Sequence, residues 1–207
     1  MKIDYLGHAC FKVSGENYSI VFDPYEDGAV PGLEPVREEA SMVLCSHDHH
    51  DHNAKANIKE IKGSENVKVT AVPSFHDHHE GAHRGTNVIH IIEAEGLRIA
   101  HFGDLGHIPS EEQLEILKNL DAAMIPVGGH FTIDAEEAAH IVNLIKPRIA
   151  IPMHYRTENA GYEVIGTVDA FTAHFDSGIV KFCTKSLDPA DKNGIYVLNM
   201  LQLSQIG

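Results

Sequence analysis

Cysteine is scarce in this sequence, and long apolar runs are missing from it. The three cysteines, Cys10, Cys45 and Cys183, are odd in number and widely spaced, with no Cys-x-x-Cys pair. Neither a disulfide framework nor a zinc knuckle is indicated, so we expect three buried, reduced thiols. No apolar run approaches the ~18 residues of a membrane span, and no secretory signal pattern is present. We therefore expect a soluble, cytoplasmic protein without a membrane partner.

Basic side chains are also few. The 207 residues include 16 lysines and arginines against 30 acidic residues, which gives a formal net charge of -14. Nucleic acid polymers and anionic membranes bind basic surfaces, so we expect neither as a partner. A small anionic substrate stays compatible with this charge, because bound metal ions would reverse the local field.

The length and composition favour one globular domain over residues 1–207. A hydrophobic fraction of 43% over 207 residues is enough for one well-buried core. The chain is too short for two domains of ordinary size. Whether the domain forms a homo-oligomer is left open by the sequence.

Short apolar stretches between turn residues predict strands in the first half of the chain. They lie at residues 3–6, 9–13, 18–22, 42–45, 67–72, 86–93 and 97–102. Proline is expected to end two of these strands, at Pro24 and at Pro73. The polar stretch at residues 53–62 is compatible with a helix.

Helices and strands alternate in the second half. Ser110 and Gln113 have the spacing of a capping box that opens a helix reaching Leu120. Asp134 opens a second helix, which Pro147 ends. Further strands are predicted at residues 122–127, 148–153, 179–183 and 195–201. Two runs of strands, each followed by helical pattern, indicate an α/β sandwich of two mixed sheets with helices outside.

The most informative segment is the hexapeptide from His47 to His52. It reads His-Asp-His-His-Asp-His and fits the pattern His-x-His-x-Asp-His, with His50 on an x position. Neutral imidazole and carboxylate are the ligands that suit zinc and neighbouring first-row metals. The segment therefore predicts a metal site. The competing interpretation, a solvated histidine-rich loop, leaves the positions of the other histidines unexplained.

Those other candidate ligands recur in one context, the end of an apolar strand. His47, His76, Asp104 and His154 each follow such a strand. Strand ends on one edge of a sandwich are rigid and close together, while the loops beyond them are open to solvent. A catalytic metal site needs this combination of fixed ligands and an open coordination position.

With these residues, the sequence resembles the metallo-β-lactamase-fold hydrolases over most of its length. Shorter motifs resemble the branch that contains ascorbate-6-phosphate lactonase: Leu6-Gly7-His8, Phe22-Asp23-Pro24, Arg84-Gly85-Thr86-Asn87 and the stretch from Pro126 to Thr132. The resemblance implies a four-layer αββα sandwich, with two mixed β-sheets between outer helices.

The resemblance also implies two divalent ions. They are expected to be zinc, with manganese and iron as alternatives. One ion would be held by His47, His49 and His76, and the other by Asp51, His52 and His154, with Asp104 bridging them. A bridging water would become a hydroxide near neutral pH and attack a carbonyl or phosphoryl centre. Asp51 and Asp104 are thus the expected catalytic residues, Asp51 as a ligand and not as a free base.

Several further residues have two competing interpretations. His8 and Asp23 either form turns or approach the site, with Asp23 accepting a hydrogen bond from a ligand imidazole. His130 is either a substrate contact or a loop histidine, and Arg84 is either an anion clamp or a solvated arginine. Tyr155 is a similar candidate. Near His76, three histidines compete for its place: His78, His79 and His83. The remaining histidines at positions 90, 101, 107, 140 and 174 are expected to be structural or exposed.

These observations favour a hydrolase acting on an ester, lactone or phosphoester bond of a small molecule. Two alternatives remain, a mononuclear iron oxidoreductase resembling the sulfur dioxygenases and a non-catalytic metal-binding protein. Diiron flavoproteins of the same fold typically carry a glutamate at the position of His49 and an added flavin domain, so they match less well. The substrate is expected to depend on the loops at residues 28–34, 78–84 and 128–132.

Overall fold

A computed structural model describes residues 1–63, 66–183 and 185–199. Its first seven strands are β1 (Lys2–Gly7), β2 (Cys10–Ser14), β3 (Ser19–Phe22), β4 (Glu38–Ala40), β5 (Met42–Leu44), β6 (Ile58–Glu60) and β7 (Lys68–Phe75). The others are β8 (Thr86–Ala94), β9 (Leu97–His101), β10 (Ala122–Pro126), β11 (Ile149–Met153), β12 (Val180–Cys183), β13 (Ser186–Leu187) and β14 (Gly194–Leu198). The α-helices are α1 (Glu111–Ile116), α2 (Ala135–Ile145) and α3 (Val168–Thr172).

The strands form two large mixed sheets and a small ribbon. The first sheet has the order β13-β1-β2-β3-β5, and the second has the order β12-β14-β11-β10-β9-β8-β7. Strands β4 and β6 pair with each other in parallel. One cluster of buried apolar side chains takes members from both large sheets, among them Phe11 and Phe22 from the first and Ile91 and Ile151 from the second. The predicted α/β sandwich of two mixed sheets is confirmed.

Helix α2 follows its sequence signals closely. Asp134 and Glu137 form a complete capping box at its start, and Lys146 ends it in the left-handed conformation just before Pro147. The expected apolar stripe is buried, with Ala138 and Ile141 fully inaccessible. Because one face of α2 is apolar and buried, the helix packs on the domain core.

Three expected elements differ from the structure. Residues 53–62 do not form an α-helix: they contain a 3-10 turn, Lys55–Asn57, whose N-cap residue makes no side-chain cap, followed by strand β6. The strand expected to stop at Pro73 continues through it to Phe75. A proline lacks the N–H of a sheet ladder, but β7 is the edge strand of its sheet and tolerates the loss. Helix α1 ends at Ile116 and does not reach Leu120.

Strand direction places the candidate residues together. Strands β9, β10 and β11 run parallel, and β3 runs parallel to β5. Parallel neighbours end at the same edge of a sheet, where loops converge. Asp23, His47, Asp104 and His154 all lie just beyond the carboxyl ends of these strands. The fold therefore brings residues far apart in sequence to one end of the sandwich.

Two expectations from composition can be compared with the structure. The cysteines are free thiols, but only Cys10 is fully buried, so the expectation of three buried thiols is wrong for Cys45 and Cys183. Among the described helices, none combines the length and the apolar character that crossing a membrane requires.

Candidate metal centre

Two groups of donor side chains lie next to each other at the carboxyl ends of the strands. The outer donor set consists of His47, His49 and His76, and each offers a ligand atom within 4.8 Å of the others. His49 is exposed and His47 is half-buried, whereas His76 is buried. The His47 Nε2 and His49 Nδ1 atoms are 3.0 Å apart. This set faces the solvent at one side.

The inner donor set consists of His8, Asp51, His52 and His154. Its ligand atoms also lie within 4.8 Å of one another, and all four residues are buried or nearly so. His8 is the member that the spacing of the histidine motif does not include. It reaches the set from the turn between β1 and β2, where its ring lies 4.1 Å from that of His154.

Asp104 lies between the two sets. Its Oδ2 atom is 3.2 Å from His52 Nε2, 3.2 Å from His76 Nε2 and 3.3 Å from His154 Nε2. One carboxylate oxygen thus contacts imidazoles from both sets. Gly103 allows this approach, since a Cβ atom at that position would lie 2.3 Å from Ser46 Cβ. The backbone N–H of Asp104 donates to Asn87 Oδ1 over 2.9 Å, which fixes the turn.

The charges of the site suit a cation. Burial, together with the nearby His154, lowers the pKa of His8 to about 4, and burial also lowers the pKa of His47 to about 3. Both imidazoles are therefore neutral, which is the ligand form. Burial acts to raise the pKa of Asp104, but the surrounding histidines hold it well below its usual range. Two ionised carboxylates, Asp51 and Asp104, thus face a group of imidazoles.

Several buried polar atoms of the centre lack a hydrogen-bond partner among the described residues. They are both ring nitrogens of His8 and His154, the Nε2 atom of His52, the Nδ1 atom of His76 and the Oδ1 atom of Asp104. Buried polar groups are almost always paired, so such a concentration needs an explanation. Imidazole and carboxylate donors that converge in this way fit divalent metal ions.

Asp23 organises the ligands from behind. Its carboxylate is fully buried and accepts a hydrogen bond from His52 Nδ1 over 2.8 Å. The Ser46 hydroxyl donates to the same carboxylate over 2.6 Å and lies 2.9 Å from His47 Nδ1. These contacts engage the Nδ1 atoms, so the Nε2 atoms of His52 and His47 are the ones that remain to bind metal.

Left-handed backbone recurs at the centre. His8, Asp23 and His154 have φ values of 55°, 42° and 53°, and exposed His130 has 61°. Such residues cost about 1–3 kcal/mol each and persist only where the surroundings hold them. The His8 carbonyl accepts from Tyr5 Oη over 2.8 Å and from the His154 N–H over 2.9 Å. The left-handed backbone of His8 and His154 therefore helps to orient these two candidate ligands.

Aromatic and basic side chains form a rim beside the inner donor set. Tyr162 Oη lies 3.2 Å from Asp51 Oδ2 and 2.9 Å from the Ala29 carbonyl oxygen. The Tyr162 ring packs edge-on against Phe131, 5.7 Å away, and the Arg84 guanidinium lies 5.7 Å from the Phe131 ring centre. This series of contacts connects Arg84 to a candidate ligand.

The loop that carries Arg84 is built around Asp77. The buried Asp77 carboxylate accepts four backbone hydrogen bonds, of which those from His79 and Arg84 are the shortest, at 2.7 Å each. Burial acts to raise the pKa of Asp77, but these N–H groups hold it below its usual range. The three competitor histidines of this loop, His78, His79 and His83, are exposed and lie in none of the donor groups.

The structure gathers most of the residues predicted from the sequence, together with others that the sequence did not indicate. Every predicted ligand lies in one of the two donor sets or, as Asp104 does, in a third group with His47 and His52, whereas His130 lies in none of them. Tyr155 is buried in the core, its hydroxyl 3.4 Å from the Leu198 carbonyl, and does not face the centre. Ser46 and Tyr162 were missed. The position of Ser46 directly before the histidine motif was the only sequence signal for either.

Comparisons with known proteins agree with this architecture. Residues 2–154 match the family model described as a beta-lactamase superfamily domain. A UPF0173 metal-dependent hydrolase from Thermococcus onnurineus is 31% identical over 192 residues, covering 76% of this chain and 85% of that protein.

Solved structures share the fold. A Thermotoga maritima crystal structure, provisionally described as a zinc-dependent hydrolase of the metallo-beta-lactamase superfamily, has a TM-score of 0.77 at 28% identity and covers 96% of this chain and 98% of its own. Igni18 from Ignicoccus hospitalis, a metallo hydrolase, has a TM-score of 0.61 at 22% identity, with coverage of 83% and 88%. At that identity, Igni18 supports the fold alone.

Proposed function

The chain belongs to the beta-lactamase superfamily, and from this premise we propose that it is a metal-dependent hydrolase with two divalent ions. Its substrate would be a small molecule with an ester, lactone or phosphoester bond. The observation that carries the proposal is the position of Asp104, whose Oδ2 atom lies 3.2–3.3 Å from imidazoles of both donor sets. A carboxylate in that place fits a ligand shared by two ions.

We assign one ion to each donor set. His47, His49 and His76 would hold the outer ion, and Asp51, His52 and His154 would hold the inner ion, with Asp104 between them. Bound there, such ions would activate a water and polarise the bond to be cleaved. Imidazole and carboxylate donors suit zinc, which is our first expectation, although manganese and iron share these ligands.

The protein's own contribution is to hold the ligands in one protonation state and orientation. Asp23 accepts a hydrogen bond from His52 Nδ1, and the Ser46 hydroxyl donates to the same carboxylate while lying 2.9 Å from His47 Nδ1. The Asp51 carboxylate accepts a hydrogen bond from the Tyr162 hydroxyl over 3.2 Å and lies 3.3 Å from His8 Nε2. It is therefore a fixed group and is poorly placed to act as a free base.

The rim supports an anionic substrate. Arg84 is half-buried beside Phe131 and makes none of the ion pairs found among the described residues. An unpaired guanidinium near the mouth of the site favours a carboxylate or phosphate group on the substrate. The net charge of -14 opposes a nucleic acid polymer as the substrate.

The test combines elemental analysis of the purified protein with a screen of lactones, phosphodiesters and thioesters. We expect close to two ions per chain and hydrolysis of one class. His49→Ala and Asp51→Ala should each lower activity by more than about 100-fold. Loss of a residue that only hydrogen-bonds to a ligand typically costs about 10- to 100-fold. His50→Ala, an exposed neighbour in the same motif, is the matched control and should keep full activity. Unchanged turnover by a metal-replete Asp51→Ala variant contradicts the proposal.

A further inference from the structure

We infer that His8 is a direct ligand of the inner ion, in addition to the residues of the histidine motif. The inference deepens the proposed function and rests on it, because it concerns the same inner ion. His8 lies in the inner donor set, with its ligand atom within 4.8 Å of those of Asp51, His52 and His154. With Asp104, the inner ion would have five protein ligands, and the outer ion would have four.

The spacing of His8 and Asp51 fits two ligands of one ion. His8 Nε2 lies 3.3 Å from Asp51 Oδ2. The hydrogen bond from His52 Nδ1 to Asp23, on the side of the ring away from the ion, is 2.8 Å long. The imidazole–carboxylate pairs that face the ions measure 3.2–3.3 Å around Asp104. Two ligands that each lie about 2.1 Å from one ion are about 3.0–3.4 Å apart when the angle between them is about 90–110°, so His8 and Asp51 have the spacing of two ligands.

The surroundings of His8 match those of a ligand. The side chain is fully inaccessible, and neither ring nitrogen has a hydrogen-bond partner among the described residues. His154, a histidine of the family motif, has the same pattern. A neutral imidazole with two unpaired nitrogens is costly in the interior, and coordination of one nitrogen relieves part of that cost.

The backbone holds the His8 imidazole in this position. His8 has a left-handed φ of 55°, an uncommon conformation that persists where the surrounding structure holds it. Its carbonyl accepts hydrogen bonds from Tyr5 and from the N–H of His154, which also has a left-handed φ. The two histidines are thus fixed to each other through the main chain, and their rings lie 4.1 Å apart.

The extra ligand makes the two ions unequal. The inner ion would be enclosed by five donors that are buried or nearly so, and it should therefore bind more tightly and exchange slowly. The outer ion would keep an open side at exposed His49. Substrate would therefore approach the outer ion, and the inner position would favour metals that accept five or six ligands.

The test is a titration of metal-free protein with Co²⁺, whose visible absorption weakens as its coordination number rises. The variant is His8→Asn, because asparagine tolerates the left-handed backbone and is too short to replace the imidazole. The control is Tyr5→Phe, which removes the hydrogen bond to the His8 carbonyl and keeps the imidazole. Circular dichroism checks that both variants fold.

We expect His8→Asn to lower the affinity for the tighter Co²⁺ equivalent by more than about 100-fold and to intensify the absorption of that ion. Loss of a residue that only hydrogen-bonds to a ligand typically lowers affinity by about 10- to 100-fold. Tyr5→Phe should leave the spectrum unchanged. An unchanged inner-ion spectrum in His8→Asn, whatever its affinity, overturns the inference. If wild-type protein takes only one equivalent, the two-ion proposal fails, and the response of that single equivalent to His8→Asn still decides the role of His8.

Discussion

The Ser46 hydroxyl donates a hydrogen bond to Asp23 Oδ2 over 2.6 Å while lying 2.9 Å from His47 Nδ1. The same Asp23 oxygen accepts from His52 Nδ1 over 2.8 Å. His47 belongs to the outer donor set and His52 to the inner one. One buried carboxylate therefore orients a ligand in each set, directly for His52 and through a single hydroxyl for His47.

Ser46→Ala is expected to weaken the outer ion selectively. Without the hydroxyl, His47 loses the acceptor that fixes its tautomer, whereas the bond between Asp23 and His52 stays intact. Loss of such an outer partner typically lowers metal affinity about 10- to 100-fold. Competition with a chelator, followed by metal analysis of each equivalent, measures the effect. Ser46→Thr keeps the hydroxyl and serves as the control, and an equal loss of both ions in Ser46→Ala would contradict this arrangement.

Metal binding at the inner position should depend on pH. Burial acts to lower the pKa of His52, but the carboxylates of Asp104 and Asp23 raise it well above 6.5 in the metal-free protein. A metal takes the deprotonated imidazole, so binding releases a proton. The apparent affinity of the inner ion should therefore rise by up to about tenfold per pH unit below that pKa and level off above it.

Binding of the outer ion should release fewer protons than binding of the inner ion. Burial lowers the pKa values of His47 and His49, that of His47 to about 3, so both imidazoles are neutral at working pH. Titration calorimetry in buffers of different ionisation enthalpy counts the protons released with each ion. Asp23→Asn removes one carboxylate beside His52 and should reduce the proton release of the inner ion. Equal proton release at both positions would refute the assignment.

The positions of the candidate donors could be predicted because they are close together in sequence or follow strands with a clear apolar pattern. The hexapeptide from His47 to His52 consists of residue types that bind metal, and His154 follows the buried strand β11. The end of a parallel strand is a position that topology, and not local contact, makes functional. Pattern, together with the resemblance to a known family, therefore indicated most of the candidate donors.

The remaining contacts depend on packing between distant segments. Tyr162 meets Asp51 across 111 positions of the chain, and no local pattern around it indicates a site. His101 is buried against Phe22, with its Nε2 atom donating to the Ala9 carbonyl over 2.8 Å, so its structural role follows from contact between the two sheets. Residues 53–62 resemble a helix in polarity but lack an apolar stripe, and Ile58–Glu60 pair with β4 instead.

Arg84→Ala should raise KM for an anionic substrate and leave kcat nearly unchanged. A hydrogen bond to a charged group contributes about 1.5–3 kcal/mol, which corresponds to a KM increase of roughly 10- to 100-fold. Asp77→Ala should raise KM in the same direction, because the Asp77 carboxylate orders the loop by accepting from the Arg84 N–H. Steady-state kinetics with an anionic substrate and its neutral ester separate the effects, and Arg84→Lys retains part of the binding. A KM increase of equal size for the neutral ester would show that Arg84 does not bind the anionic group.

Tyr162→Phe tests whether the rim helps to hold Asp51. Burial, reinforced by the neighbouring Asp51 carboxylate, raises the pKa of Tyr162, so its hydroxyl stays protonated and donates a hydrogen bond. That single proton lies between two acceptors, the Ala29 carbonyl at 2.9 Å and Asp51 Oδ2 at 3.2 Å. Phenylalanine keeps the ring against Phe131 and removes the donor.

If the Tyr162 hydroxyl donates to Asp51, inner-ion affinity and kcat/KM should both fall about tenfold in Tyr162→Phe, as for other residues that hydrogen-bond to ligands. If the Tyr162 hydroxyl donates only to the Ala29 carbonyl, the variant should lose about 1 kcal/mol of unfolding free energy with unchanged metal affinity. Chelator competition and denaturant unfolding of the same variant distinguish the two outcomes, and we expect the first.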